Sequence, residues 1–171
     1  MTLEVAEFES PIGKIVVALH DARLCALRFA EHWPRMRPLL EKRFGQVDFR
    51  QAADPAGVVT CLRKYFASDF GALDAIIVDT GGTPFQQRVW KELRKIPAGR
   101  TVSYAHIAMA IGAPTAVRAV GAANGSNPAG IVIPCHRVIG SNGQLTGYGG
   151  GIERKRWLLR HESAQQELRV A

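Results

Sequence analysis

The residues of this 171-residue chain best suited to chemistry are four in a row, Pro134-Cys135-His136-Arg137, directly after the apolar run Ile131-Val132-Ile133. A thiolate, not a thiol, is the nucleophile, and neighbouring His or Arg charge favours it. Cys135, beside two potential cations, is therefore a candidate nucleophile. A strand-like run ended by Pro would hold its backbone rigidly at the end of a buried element. The competing reading is a buried structural cysteine, the commoner fate of a free thiol. A nucleophilic Cys also needs a proton acceptor oriented by a third group. His136 is adjacent, yet side chains of an extended segment alternate faces, so a bridging water or a local turn has to join it to the sulfur. The orienting carboxylate is open among Glu92, Glu153, Glu162 and Glu167, the four acids of residues 83–171.

Turn chemistry surrounds these residues. Asn124-Gly125-Ser126-Asn127-Pro128 is a turn string that leads into the apolar run, and Asn127 can fix it by bonding backbone groups. Gly140-Ser141-Asn142-Gly143 reads as a hairpin-type turn. Gly147-Tyr148-Gly149-Gly150-Gly151 lacks the Lys-Ser/Thr of a phosphate-binding loop, but its accessible amides beside one aromatic ring suit a flat ligand. A final amphipathic helix over residues 152–162 carries Trp157, Leu158 and Leu159 inward, with Arg154, Lys155, Arg156 and Arg160 nearby. By pattern alone its end, His161-Glu162, is surface.

Upstream, residues 83–124 read as helices. Thr83-Pro84-Phe85-Gln86 is a capping box, after which Phe85, Val89, Trp90, Leu93 and Ile96 share one helical face. A second helix, residues 104–111, ends at Gly112, and after Ala113-Pro114 a third runs from Thr115 or Ala116 to about Asn124. Two helices joined by a short Gly-containing turn are a helix-turn-helix signature. The third helix carries one long donor, Arg118, and is otherwise small and apolar. Such a helix is poorly equipped to read base edges in the major groove. It suits close approach to a backbone or a shallow groove.

The first 82 residues differ in kind. A hairpin around Ser10-Pro11-Ile12-Gly13 and a third strand, residues 24–29, predict a small antiparallel sheet. Residues 35–44 and 55–66 read as helices, the second with Asp54 as N-cap and Pro55 at the first helical position. Residues 73–78 predict a short strand before Thr80-Gly81-Gly82, a linker signal. Cys25 and Cys61 fall in apolar elements and read as core. Three widely spaced cysteines predict neither a disulfide framework nor a zinc site.

Charge separates the two parts. The net +7 of the chain divides into −1 for residues 1–82, with 10 Lys and Arg against 11 Asp and Glu, and +8 for residues 83–171, with 12 against 4. Positive charge gathered in one half favours a polyanionic partner. No apolar run approaches the roughly 20 residues that span a bilayer, and Glu4, Glu7 and Glu9 stand where a signal peptide would be basic. A cytoplasmic protein with no membrane partner is expected.

The motifs together resemble the O6-alkylguanine-DNA alkyltransferases. The resemblance rests on Pro134-Cys135-His136-Arg137-Val138, on Gly125-Ser126-Asn127-Pro128 before it, and on Gly147-Tyr148, Gly150-Gly151 and Lys155-x-Trp157-Leu158-Leu159-x-His161-Glu162 after it. Phe85-Gln86-x-x-Val89-Trp90 and Val102-Ser103-Tyr104 extend it, while the N-terminal half matches in outline. It implies an α+β chain: an N-terminal α/β domain with a small antiparallel sheet, ribonuclease H-like, over residues 1–82, then a mostly helical, winged-helix-like alkyl-acceptor domain with a helix-turn-helix over 83–171. By resemblance, Cys135 accepts an alkyl group from O6-alkylguanine, and from O4-alkylthymine, in double-stranded DNA. His136 is its base through a water, Glu162 orients His136, and Asn127 holds the turn beneath.

The resemblance also makes Arg118 the residue that replaces a flipped base and Tyr104 the one that helps rotate it, with Ala105, Ala113 and Ser141 as further DNA contacts. The base is expected against Tyr148, with Tyr104, Val138, Gly149 and Lys155 lining its pocket. Some relatives carry Ser where Gly149 stands, so a backbone contact survives there without a hydroxyl. Neither cofactor nor metal is implied, and the protein is expected to act once, as a monomer, with or without cooperation between neighbours on DNA. The alternatives are a non-catalytic lesion binder, which Cys135 opposes because those relatives replace the nucleophile, a Cys-His acyl hydrolase or transferase, and a plain helix-turn-helix regulator.

Overall fold

A computed structural model describes the backbone of residues 1–170 and the side chains of residues 1–163. The chain divides into two compact units, Met1–Gly81 and from Gly82 onward. In the first, β1 (Thr2–Ser10), β2 (Gly13–His20) and β3 (Arg23–Phe29) form an antiparallel meander. Apolar β-branched residues drive it: in β2 the five residues Ile15 to Leu19 are all buried. A run buried on both faces needs cover on both faces. One face, with Val16 and Ala18, packs on Met36 and Leu40 of α1 (Trp33–Phe44). The helix α2 (Val58–Phe66) lies against β1 and buries Val58, Val59, Leu62 and Tyr65.

Four expectations change here. The sheet has a fourth strand, β4 (Asp48–Gln51), parallel to β1, so the sheet is mixed with the order β3-β2-β1-β4. Its four residues are mostly exposed, and a short polar edge strand carries almost no periodicity. The helix expected from Pro55 begins at Val58, because Ala56 and Gly57 adopt φ of +51° and +73°. Asp54 still caps it from a distance, its carboxylate accepting from the Val59 and Thr60 amides at 2.7 and 3.2 Å. The strand expected near residues 73–78 is a 3-10 turn, Phe70–Ala75, followed by a single bridge from Val78 to Leu24. Cys61 is half-buried rather than core.

The second unit is mostly helical. The predicted box forms at the head of α3 (Pro84–Leu93): Gln86 N–H donates to Thr83 Oγ1 at 3.2 Å and Thr83 N–H to Gln86 Oε1 at 2.9 Å. Gly82, at φ +84°, cannot be replaced without strain, since a Cβ would sit 2.6 Å from the Trp90 ring. Next come β5 (Val102–Ser103), α4 (Tyr104–Ala110), capped by Ser103, and α5 (Val117–Gly125). β5 pairs in parallel with β6 (Val138–Ile139), and α6 (Ile152–Val170) closes the unit. In α6, Leu158 is fully buried, whereas Trp157 and Leu159 are half-buried.

The apolar run before Cys135 is not a strand. Ile131 takes φ +70°, Gly130 bridges to Ile133, and Cys135–Arg137 form one turn of 3-10 helix. Periodicity cannot tell a buried strand from a buried turn when every residue is apolar.

Candidate active site

Asn127 makes the turn that presents Cys135. Its side-chain N–H donates to the Ile133 carbonyl at 2.8 Å, and its Oδ1 accepts from the Ala129 amide at 3.0 Å. Both ends of a hairpin-like excursion are thereby pinned by one buried carboxamide. Asn124, at the end of α5, adds a longer bond to the Cys135 carbonyl at 3.4 Å. Trp90 of α3 ties α5 down through its indole N–H to the Ala123 carbonyl at 2.8 Å.

Cys135, His136 and Arg137 make up one turn of 3-10 helix. His136 is 0% exposed and its Nε2 lies 2.7 Å from Glu162 Oε1 of α6, itself 1% exposed. Glu162 is therefore no surface residue. Arg137 donates from Nε to Glu162 Oε2 at 2.9 Å and from Nη2 to Oε1 at 2.8 Å, and its Nη1 donates to the Ile96 carbonyl at 2.6 Å. Of the other acids considered, Glu92 pairs with Lys95 and Glu153 with Arg156. The side chain of Glu167 lies outside the described residues.

Burial and the neighbouring charges act on the protons of this pair in opposite senses. Burial would push the Glu162 carboxyl up, but His136 and the Arg137 fork outweigh it and hold it well below the usual carboxylate range. An ionised carboxylate only accepts, so the hydrogen in the 2.7 Å contact belongs to His136 Nε2. Burial is the main cause that lowers the His136 pKa, with Arg137 and Lys155 adding to it against Glu162. The imidazole is neutral, and Nδ1 carries a lone pair. That atom is buried and has no hydrogen-bond partner.

The cations differ from expectation. Arg137 is committed to Glu162, and His136 is neutral. Lys155, which is 0% exposed, is a further cation that interacts electrostatically with Cys135. Burial lowers the Lys155 ammonium while Cys135 opposes that shift. Lys155 Nζ donates to the Val138 carbonyl at 2.7 Å and to the Thr146 carbonyl at 3.1 Å. It thus ties β6 to the loop that follows it, and a charge so placed is satisfied by fixed dipoles.

Around this centre lie the other residues of interest. The Tyr104 hydroxyl bonds Thr146 Oγ1 at 2.6 Å, and its ring lies beside Gly121 of α5, 4.0 Å from the position a Cβ would take there. Tyr148 is half-buried beside Gly130, and Gly149 has open space at its Cβ position. Arg118 is exposed on α5, Ser141 is exposed in its turn, and Ala105 and Ala113 are half-buried in and after α4. Cys135, His136, Asn127 and Glu162 thus come together, as do Tyr104, Thr146, Lys155 and Val138. Sequence reasoning missed Arg137 as a partner of Glu162, along with Asn124, Thr146 and the Ile96 carbonyl. An arginine enclosed by apolar neighbours is itself a signal, because a buried charge must be paired.

Residues 84–164 match the model of the 6-O-methylguanine DNA methyltransferase DNA-binding domain. A methylated-DNA–protein-cysteine methyltransferase of Shigella flexneri is 48% identical over 156 residues, covering 90% of this chain and 91% of that one. The chain belongs to the methylated-DNA–protein-cysteine methyltransferase family. A member from Mycobacterium tuberculosis is 48% identical over 160 residues, 92% of this chain and 90% of its own. The crystal structure of M. tuberculosis OGT in complex with DNA superposes with a TM-score of 0.80 at 45% identity, covering 95% of this chain and 94% of that chain. A methyltransferase from Pyrococcus kodakaraensis shares the fold at a TM-score of 0.69 and 29% identity. Membership of this methyltransferase family fits the mixed α+β fold, and no described helix is long and apolar enough to cross a membrane.

Proposed function

We propose that this protein repairs O6-alkylguanine in double-stranded DNA by moving the alkyl group irreversibly onto Cys135, once per molecule. The observation that carries this reading is the buried His136–Glu162 pair, with an unpartnered Nδ1, in the same turn as the thiol. Cys135 loses its proton through a bridging water to His136 Nδ1, and the thiolate attacks the alkyl carbon. The C–S bond forms as the C–O6 bond breaks, and the departing guanine anion takes its proton from Tyr104 or from the His136 network. The thioether has no neighbour equipped to hydrolyse it, so the protein is spent. O4-alkylthymine presents the same alkyl-oxygen bond on a ring and is a second substrate of the same displacement.

A thiol 6% exposed cannot reach an O6 atom inside a stacked duplex, so the nucleotide must leave the stack. Arg118 fills the vacated place from an exposed position on a helix whose other side chains are small, which favours the minor groove over base readout. Tyr104 turns the nucleotide, the base lies on Tyr148, and Val138, Gly149 and Lys155 bound its polar edge. Ala105, Ala113 and Ser141 contact the backbone. The chemistry belongs to residues 83–171, as one domain, and residues 1–82 form the other.

Mass spectrometry of the intact protein after mixing with duplex DNA that carries O6-methylguanine tests this directly. One methyl per molecule is expected, absent in Cys135→Ser. Repeated turnover by one molecule, or no adduct, would overturn the reading.

A further inference from the structure

Arg137 is buried with its fork filled: two donors on Glu162, one on the Ile96 carbonyl. Ile96 lies just beyond the end of α3, Glu162 sits on α6, and Arg137 belongs to the turn of Cys135 itself. One guanidinium therefore joins three segments at the carboxylate that touches His136. We propose that Arg137 is a positioning residue of the transfer: by occupying both oxygens of Glu162 it fixes the His136 proton on Nε2 and keeps Nδ1 as the base. The proposal rests on the alkyl-acceptor reading above.

The chemistry follows from which groups can hold a proton. A carboxylate whose charge is already balanced by a guanidinium on both oxygens is a weaker base, so it accepts the Nε2 hydrogen of His136 and orients the ring without removing that proton. When Cys135 gives up its proton, the S–H bond breaks and an N–H bond forms at Nδ1. The resulting imidazolium interacts with Glu162 and Lys155 of α6 and with Arg137 of its own turn. Of these, Arg137 and Lys155 oppose the imidazolium charge, so the proton is held loosely. It passes to the guanine anion as the C–O6 bond breaks, and His136 returns to neutral. Bidentate geometry matters here, since lysine in this place would offer a point charge and no fork.

The test uses the full-length protein with Arg137→Lys and Arg137→Met, and measures the single-turnover rate of methyl uptake from O6-methylguanine duplex against pH. Arg137→Met removes a cation that resists His136 protonation. Its rate should fall by roughly a hundredfold at neutral pH, in the range of a lost general base. The acid limb of its profile should rise by about one pH unit, a tenfold change in proton binding. Arg137→Lys should recover part of both, with the same final methyl count per folded molecule. Nitrogen NMR of His136 gives a readout that needs no activity: Nδ1 should be of the unprotonated type in the natural protein and in Arg137→Lys, and mixed between the two nitrogens in Arg137→Met, where Glu162 has lost the cation that keeps it ionised. A slower rate with an unmoved acid limb, or an unchanged tautomer in Arg137→Met, would overturn the proposal. A natural protein that takes up no methyl would instead overturn the proposed function, while the tautomer would still report on Arg137.

Discussion

The two units bury different things. The first encloses an apolar interior, from Leu3 and Ile15 through Leu24 to Leu62, with no buried charged residue among those described. All six buried polar or charged residues described, Asn124, Asn127, His136, Arg137, Lys155 and Glu162, lie in the second. A satisfied polar network is often no more stabilising than a well-packed apolar core of equal volume, yet breaking one member is expensive. The second unit therefore gives up some packing stability to hold a thiol, a neutral imidazole and a carboxylate in fixed relation. Among the described residues, the two buried side-chain atoms without a hydrogen-bond partner, His136 Nδ1 and Asn124 Oδ1, belong to that same network.

The cysteines make the same contrast at one atom. Cys25 and Cys135 are almost equally buried, at 1% and 6% exposure. Burial pushes the Cys25 thiol up, with Arg43 only partly opposing this, and the S–H points at the Arg23 carbonyl at 3.6 Å. Cys135 instead lies among Lys155, His136 and the Asn127 turn. Equal burial thus leaves the two thiols in unlike surroundings, and the surroundings control a thiol's reactivity.

The largest expected effect breaks that contrast outright. Cys135→Ser abolishes methyl uptake from O6-methylguanine duplex, whereas Cys25→Ser leaves one methyl per folded molecule, both read by intact mass. Next, Glu162→Gln strands the Arg137 charge in the interior. Denaturant titration should show a loss of about 3–5 kcal/mol, together with a slowed transfer. Leu62→Ala in the first unit should cost about 2–5 kcal/mol while the rate of uptake per folded molecule stays unchanged.

A third effect separates the units by pH. His136 has its folded pKa below its unfolded value of about 6.5, so its contribution to stability is complete above that value and is lost as pH falls below it. Glu162, also depressed, adds a second loss below its unfolded value of about 4.3. Cys25 has the opposite sign, its raised pKa removing stability as pH climbs past the ordinary thiol value of about 8.5. Thermal melts should therefore show acid sensitivity that His136→Phe blunts and alkaline sensitivity that Cys25→Ala blunts. The smallest effect is on Arg118→Ala, for which transfer from duplex should slow about tenfold, or about 1.4 kcal/mol, with less change on the free O6-alkylguanine base. Equal loss on both would remove Arg118 from the flipping step.

What was legible in the sequence follows the same division. Periodic or chemically marked elements could be read: the β1–β3 meander, the Thr83 capping box, the helix pair around Gly112, the Asn127 turn. Short or uniformly apolar ones could not. β4 has four residues and one inward Phe, and Ile131-Val132-Ile133 gives no sign that Ile131 turns the chain at φ +70°. At the site, Cys135 and His136 were visible as neighbours. Glu162 could be singled out among four acids only by resemblance, because the contact spans 26 residues of sequence. Arg137 was read as a cation for the thiol, since adjacency in the chain says nothing of which way a 3-10 turn points its third side chain.

The measurement that tests the central claim most directly is peptide mapping of the methyl group after reaction with O6-methylguanine duplex, scored at Cys25, Cys61 and Cys135 together. A single methyl on Cys135, with Cys25 and Cys61 bare, is the predicted result. Methyl shared with Cys25 or Cys61, or absent from Cys135, would contradict the assignment of the chemistry to the polar interior of the second unit.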